Sequence, residues 1–175
     1  MNRGCVFFNF GDKCILRMLI AIWSLRKVYN GPITLMLAPD EANKKFANEL
    51  SNDLNFNVQW FDIDLSIPNV YSTIKPNLFR LSPYEDTLLF DGDLLFVKSI
   101  DKCWGYFDNK QLVVSKFSNW LTNSNDKTLK NFKQLPSVGI DDTIFVKEGR
   151  PYINIGVLGV KKTNSDILLK EWEEL

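Results

Sequence analysis

Thr87-Leu88-Leu89-Phe90-Asp91-Gly92-Asp93-Leu94-Leu95-Phe96-Val97 sets two carboxylates into an otherwise apolar run. A Leu/Phe run bounded by polar residues reads as a strand buried on both faces. Acids inside such a run are costly to bury unless something pairs with them. In an extended chain the i, i+2 spacing puts both side chains on one side. Gly92 between them lets a ligand approach the backbone. A hard divalent cation answers the cost, because Mg²⁺ and Mn²⁺ are held by one or two carboxylates with substrate phosphates completing the shell. The alternative is an Asp-Gly turn between two hairpin strands. Flanks of continuous Leu and Phe, rather than alternating residues, favour the cation.

Upstream of this stretch the chain alternates strands and helices. Gly4–Phe8 reads as a strand, Asn9-Phe10-Gly11-Asp12 as a loop, and Ile15–Leu25, apolar almost all round, as a helix buried between layers. Asn30-Gly31-Pro32 stops that helix. Ile33–Leu37 is a second strand, and Asp40 a helix N-cap whose helix turns Phe46 and Leu50 inward. Phe56, Val58 and Trp60 alternate with Asn57 and Gln59 in a third strand. Ile74, Leu78 and Leu81 mark a helix with Pro76 in its first turn. This β-α-β-α-β-α-β order predicts an α/β fold: a parallel sheet with helices on both faces. Ligands of such sheets bind beyond the carboxyl ends of the strands, where the acid pair falls.

Downstream, Gln111–Ser115 reads as a strand and residues 116–136 as a surface excursion. Thr143–Val146 is a further strand candidate, and Tyr152–Val160 reads as a strand with Asn154 and Gly156 inside it. Asn is a poor strand former, which favours a hydrogen-bonding role for Asn154. Asn164 or Ser165 caps a last helix with Ile167, Leu168 and Trp172 as its apolar face. That helix has no stop signal before Leu175, so the expectation is a single domain over 1–175 truncated at its C-terminus. Asp141-Asp142 reads as a loop turn and Arg80 as a surface or ion-pair residue.

Composition excludes several function classes. At 175 residues and 45% hydrophobic, the chain is one domain's worth of sequence with a real core. Lys+Arg and Asp+Glu both total 21, so nothing points to nucleic acid or an anionic membrane as partner. No apolar run approaches the ~20 residues of a membrane span. The N-terminus is not a signal peptide. Cys5, Cys14 and Cys103 are odd in number with no CxxC, which predicts reduced core thiols in a cytoplasmic protein. There is no histidine, which removes Ser-His-Asp and Cys-His catalysis and HExxH zinc sites. Any chemistry must rest on carboxylates, a metal, Lys/Arg and amides.

Three pieces together resemble one family. Leu88–Phe96 followed by Ser99-Ile100-Asp101 and Trp104 resembles the DxD segment of GT-A glycosyltransferases, most closely the family 8 retaining enzymes of the glycogenin and bacterial glycan galactosyl- and glucosyltransferase type. Lys75 precedes Asp91 by the spacing of that family's donor-contacting lysine. Ile153-Asn154-Ile155-Gly156-Val157 resembles its Asn-x-Gly-Val strand, and Asp12 with Ser24-Leu25 fits the same frame. The resemblance implies a Rossmann-type mixed, mostly parallel sheet flanked by helices. It also implies a nucleotide-sugar donor, UDP-linked, bound with Mn²⁺ or Mg²⁺. Asp93 is then the principal metal ligand, with Asp91 sharing the metal or holding the ribose. Lys75 is a cation on the diphosphate or sugar, Asn154 faces the donor sugar, and Phe8, Phe10, Gly11 and Asp12 form the nucleoside pocket with Gly92 lining the phosphates. Bland readings stand beside these: Lys75 as a solvated residue at a helix start, Phe8 as core. A thiol, Cys14, stands near the position of the family's uracil-stacking aromatic, and its C-terminal metal-binding histidine lies beyond residue 175 or is absent. The acceptor, whether glycan, lipid-linked or protein, is not legible. Two alternatives remain: a non-catalytic nucleotide-sugar-binding module, and a haloacid-dehalogenase-type phosphohydrolase. The latter wants its motif near the N-terminus and Thr or Val where Leu95 stands.

Overall fold

Residues Arg3–Asn9 form the first strand (β1), buried from Gly4 onward. In this computed structural model the described residues are 2–12, 14–64, 70, 74–110, 112–116, 153–163 and 165–173. Elements follow in the order α1 (Ile15–Arg26), β2 (Ile33–Leu37), α2 (Glu41–Leu50), β3 (Asn57–Trp60), α3 (Lys75–Leu81), β4 (Asp86–Phe90), α4 (Asp101–Trp104), β5 (Leu112–Lys116), β6 (Ile153–Lys161) and α5 (Asp166–Glu173). A 3₁₀ turn, Gly105–Asp108, follows α4. The sheet has six strands in the order β3-β2-β1-β4-β6-β5. β1, β2, β3 and β4 are mutually parallel, and β6 runs antiparallel to β4. This is the mixed, mostly parallel α/β sheet that the family resemblance implies; the alternation of elements predicts its parallel part, β1 to β4.

The contacts divide the chain into two compact units, Met1–Val113 with Gly156–Leu175, and Val114–Ile155. The core of the first unit joins Phe7, Phe90 and Phe107 of the sheet side to Met18, Ile22 and Leu25 of α1. Phe90 meets Phe7 at 5.6 Å and Phe96 edge-on at 4.9 Å between ring centroids. Cys5 and Tyr29 are buried together, and loss of water pushes both the thiol and the phenol above their ordinary pKa values. The three cysteines are free thiols. Among the described residues no helix is long and apolar enough to cross a membrane.

Several sequence expectations need correction. β4 ends at Phe90, so Thr87–Val97 is not one strand: Asp91-Gly92-Asp93 is a turn, and 94–97 has no regular structure. Those residues are apolar because Leu94 and Phe96 pack on the core as irregular chain. The same-side argument from strand spacing therefore does not apply to the two acids. Helix α1 is not buried all round, since Leu16, Ile20 and Trp23 are exposed. Trp60 and Leu81 also face solvent rather than the core. Among the described side chains of α5, Leu169 is buried, whereas Ile167 is 74% exposed. The proposed strand at 143–146 and the pair Asp141-Asp142 lie outside the described residues.

Candidate functional site

Strand order reverses at β1, because β2 pairs on one side of it and β4 on the other. At such a switch point the connections leave in opposite directions and open a crevice beyond the carboxyl ends of the two strands. The chain beyond β1 is Phe10-Gly11-Asp12, and beyond β4 it is Asp91-Gly92-Asp93. Topology alone therefore places both sequence-selected segments at one crevice.

The first segment is held by a buried amide network. Asn9 is 3% exposed and its amide donates to the Gly11 carbonyl and to Asn43 Oδ1, both at 2.8 Å. Asn43, fully buried, donates to the Ala38 carbonyl at 3.0 Å and to Asp40 Oδ2 at 2.6 Å. Asp40 caps α2 as expected, accepting from the Asn43 N–H at 2.8 Å, and also accepts from the Gly11 N–H at 3.0 Å. Gly11 sits at φ 76, a conformation that favours glycine, with open space where a Cβ would stand. Phe8 and Phe10 are each 8% exposed, with ring centroids 6.4 Å apart. Asp12 is exposed. Asn9 and Asn43 escaped sequence reasoning. The available signal was the Asp40-x-x-Asn43 spacing, a variant of the capping box. Replacing Asn43 by Ala leaves buried polar groups without their bonds, so we expect a loss of about 2 kcal/mol in denaturant unfolding, with the m-value unchanged.

The second segment is tied to α3. Lys75 opens that helix and its side chain is 2% exposed, so it is not a solvated helix-start lysine. Its Nζ bonds Asp91 Oδ1 at 2.8 Å and lies 5.8 Å from the centroid of the Phe8 ring. Burial of Ile74, Pro76, Leu78 and Phe79 fixes the helix that delivers it. The Asp91 side chain is 33% exposed, and its backbone N–H donates to the Gly156 carbonyl of β6 at 2.9 Å. Asp93 is exposed. Gly92 sits at a close approach: a Cβ there would stand 3.2 Å from Met18 Cβ and 3.3 Å from its Cα, tighter than ordinary contact. The glycine thus lets helix α1 approach the turn closely. Beyond the turn, the Phe96 N–H donates to Ser24 Oγ of α1 at 3.0 Å.

Asp12, Asp91 and Asp93 against the one ammonium of Lys75 give these crevice residues a negative balance. A diphosphate entering beside them meets like charge unless a cation comes with it. Among the described residues no cluster of three or more Cys, Asp or Glu could hold a metal by itself. Two carboxylates without a soft donor suit a hard divalent ion that takes its remaining ligands from phosphate and water. Asn154 falls in β6 and in the second compact unit, and its side chain lies outside the described residues.

No protein-family model matches the chain, and no curated protein matches it in sequence. Solved structures do match. Mouse xyloside xylosyltransferase 1, in its apo form, aligns with TM-score 0.64 at 12% identity, over 100% of this chain and 71% of that one. The galactosyltransferase LgtC, in complex with donor and acceptor sugar analogues, aligns with TM-score 0.57 at 18% identity, over 98% of this chain and 60% of that one. The glycosyltransferase GlyE of Streptococcus pneumoniae TIGR4 aligns with TM-score 0.55 at 14% identity, over 98% of this chain and 37% of that one. The chain therefore has the fold of the GT-A glycosyltransferases. At these identities the likeness is one of fold, and the chain spans 60% and 37% of the last two proteins.

Proposed function

We propose that this chain is a glycosyltransferase domain that binds a UDP-linked sugar in the β1/β4 crevice. The observation that carries this reading is the Lys75–Asp91 pair: a buried ammonium joined at 2.8 Å to the acid at the mouth of β4, on a GT-A fold. Asp91 and Asp93 would hold Mn²⁺ or Mg²⁺. When bound, the divalent ion supplies stabilisation of the charge that develops on the diphosphate leaving group. Lys75 holds Asp91 in place and adds a positive charge beside the phosphates. Phe8 and Phe10 wall the nucleoside side, and the Asn9–Asn43–Asp40 network fixes Gly11 so that the backbone presents an open edge there. Asn154 is assigned a hydrogen bond to the donor sugar, and a retaining outcome follows from the family 8 resemblance. The acceptor is a glycan, a lipid-linked sugar or a protein.

Thermal unfolding with UDP, with and without Mn²⁺, tests the reading. UDP at about 100 times its Kd should add roughly 2.7 kcal/mol, and only with the metal present. Asp93→Ala should abolish that metal-dependent part while leaving the ligand-free melt unchanged, since Asp93 is exposed. UDP and Mn²⁺ still acting together in that variant would remove Asp93 from the site. Metal-dependent UDP binding without hydrolysis or transfer from any UDP-sugar selects the binding-module reading. Phosphatase turnover without UDP binding overturns both.

A further inference from the structure

Helix α1 is apolar on two sides, and only one of them is packed. Met18, Ala21, Ile22 and Leu25 are buried in the core. Leu16, Ile20 and Trp23 fall at i, i+4 and i+7, hence on one face, and are 68%, 48% and 51% exposed. The segment after the Asp-Gly-Asp turn, tied to α1 through Ser24, also exposes apolar side chains. Leu95 and Val97 are 65% and 76% exposed, and the Phe96 N–H between them is anchored to Ser24, the neighbour of Trp23. Five large apolar side chains on adjoining segments exceed the scattered exposure that needs no explanation.

The charge on these segments is one-sided. Residues 14–30 contain Arg17, Arg26 and Lys27 and no acid, and residues 94–100 contain Lys98 and no acid, in a chain whose 21 cations and 21 acids cancel. Arg26 is turned inward onto the Leu54 and Gly31 carbonyls. Arg17 and Lys98 are exposed, and Lys27 lies over the Trp23 ring at 4.2 Å. The acids that bracket the segments are Asp12, Asp93 and Asp101. Asp93 belongs to the cation site, and Asp101 accepts from Ser99 Oγ at 2.6 Å.

We propose that this face docks the protein on an anionic lipid bilayer. Trp23 and the aliphatic side chains enter the interfacial layer, and Arg17, Lys27 and Lys98 meet the headgroup phosphates. A zero net charge argues against such a partner only as an average, because the exposed cations Arg17, Lys27 and Lys98 belong to the two segments that also expose these apolar side chains. Pairing with a second copy through this face is disfavoured, since it sets like charges against each other. The inference is independent of nucleotide binding.

Co-sedimentation of the whole chain with phosphatidylcholine vesicles, with and without phosphatidylglycerol, is the test. Binding should require the anionic lipid and weaken as salt is raised. Leu16→Glu with Ile20→Glu should abolish it, and Leu16→Glu lies in the first turn of α1, where an acid suits the helix dipole. Lys27→Gln and Lys98→Gln should each lower partitioning roughly fivefold. Ile167→Glu, an equally exposed apolar residue on α5, should change nothing. Thermal melts identify variants that remain folded, and Arg17→Gln provides a further surface substitution if the double variant does not. The proposal is overturned by absent binding, by equal binding to neutral vesicles, or by equal loss in Ile167→Glu. Dimerisation that the double variant abolishes, with vesicles ignored, also overturns it.

Discussion

Asp91→Ala should lower stability by about 3 kcal/mol, whereas Lys75→Met should lower it by about 1. The asymmetry comes from where each charge is left. Removing Asp91 takes the carboxylate away from an ammonium that is 2% exposed and cannot turn to water. Such an ion bears a desolvation cost of several kcal/mol, and losing the Asp91 carboxylate removes part of what offsets it. Removing Lys75 leaves a carboxylate already 33% exposed, which can hydrate, and Met refills most of the volume that the lysine stem occupied. The double variant should therefore resemble Lys75→Met rather than the sum of the two. For a chain of 175 residues, 3 kcal/mol corresponds to a fall in Tm of roughly 6–12 °C. An Asp91→Ala protein that melts within about a degree of the parent, or a Lys75→Met protein that melts below it, would show that the pair is not desolvated as described.

This pair also marks the limit of what the sequence discloses. β1, α1, β2 and the Asp40 cap are legible because each has a local cause: a period, a breaker or a capping side chain. The apolar run predicts strand as far as Val97 because apolar composition reports burial, and Phe96 is half-buried against Phe90 without being strand. Trp60 and Leu81 kept the right period but face solvent, since the sheet edge and the helix end have nothing beyond them among the described residues. Lys75 reads locally as a solvated helix start; its burial depends on a partner 16 residues away, brought to it by the sheet. The family resemblance singled out Lys75, but as a cation on the diphosphate or sugar rather than as a partner of Asp91. Asn9 and Asn43 are 34 residues apart, and no local pattern joins them. Asn154 remains an expectation from sequence, as its side chain lies outside the described residues.

Stability should also fall steeply once the pH passes about 9. Cys5, Tyr29 and Tyr84 are 0%, 8% and 5% exposed, and burial is the first cause raising the pKa of each. The native state therefore holds all three protonated, while the unfolded chain releases those protons near 9.0 for the thiol and 10.0 for the phenols. Above those values the unfolded state binds fewer protons than the native one, so stability declines as pH rises. The contribution is complete below pH 9. From there the thiol removes up to about 1.4 kcal/mol per pH unit, and the two phenols add to the slope above pH 10. Cys103, also raised by burial, acts in the same direction. Urea unfolding followed from pH 8 to 11 should show this two-stage decline, and Cys5→Ala should flatten its first stage. A flat profile, or a Cys5→Ala profile parallel to the parent, would refute the assignment. Cys5 lies in the strand that ends at Phe8 and Asn9, so alkaline opening of β1 dismantles the crevice as well.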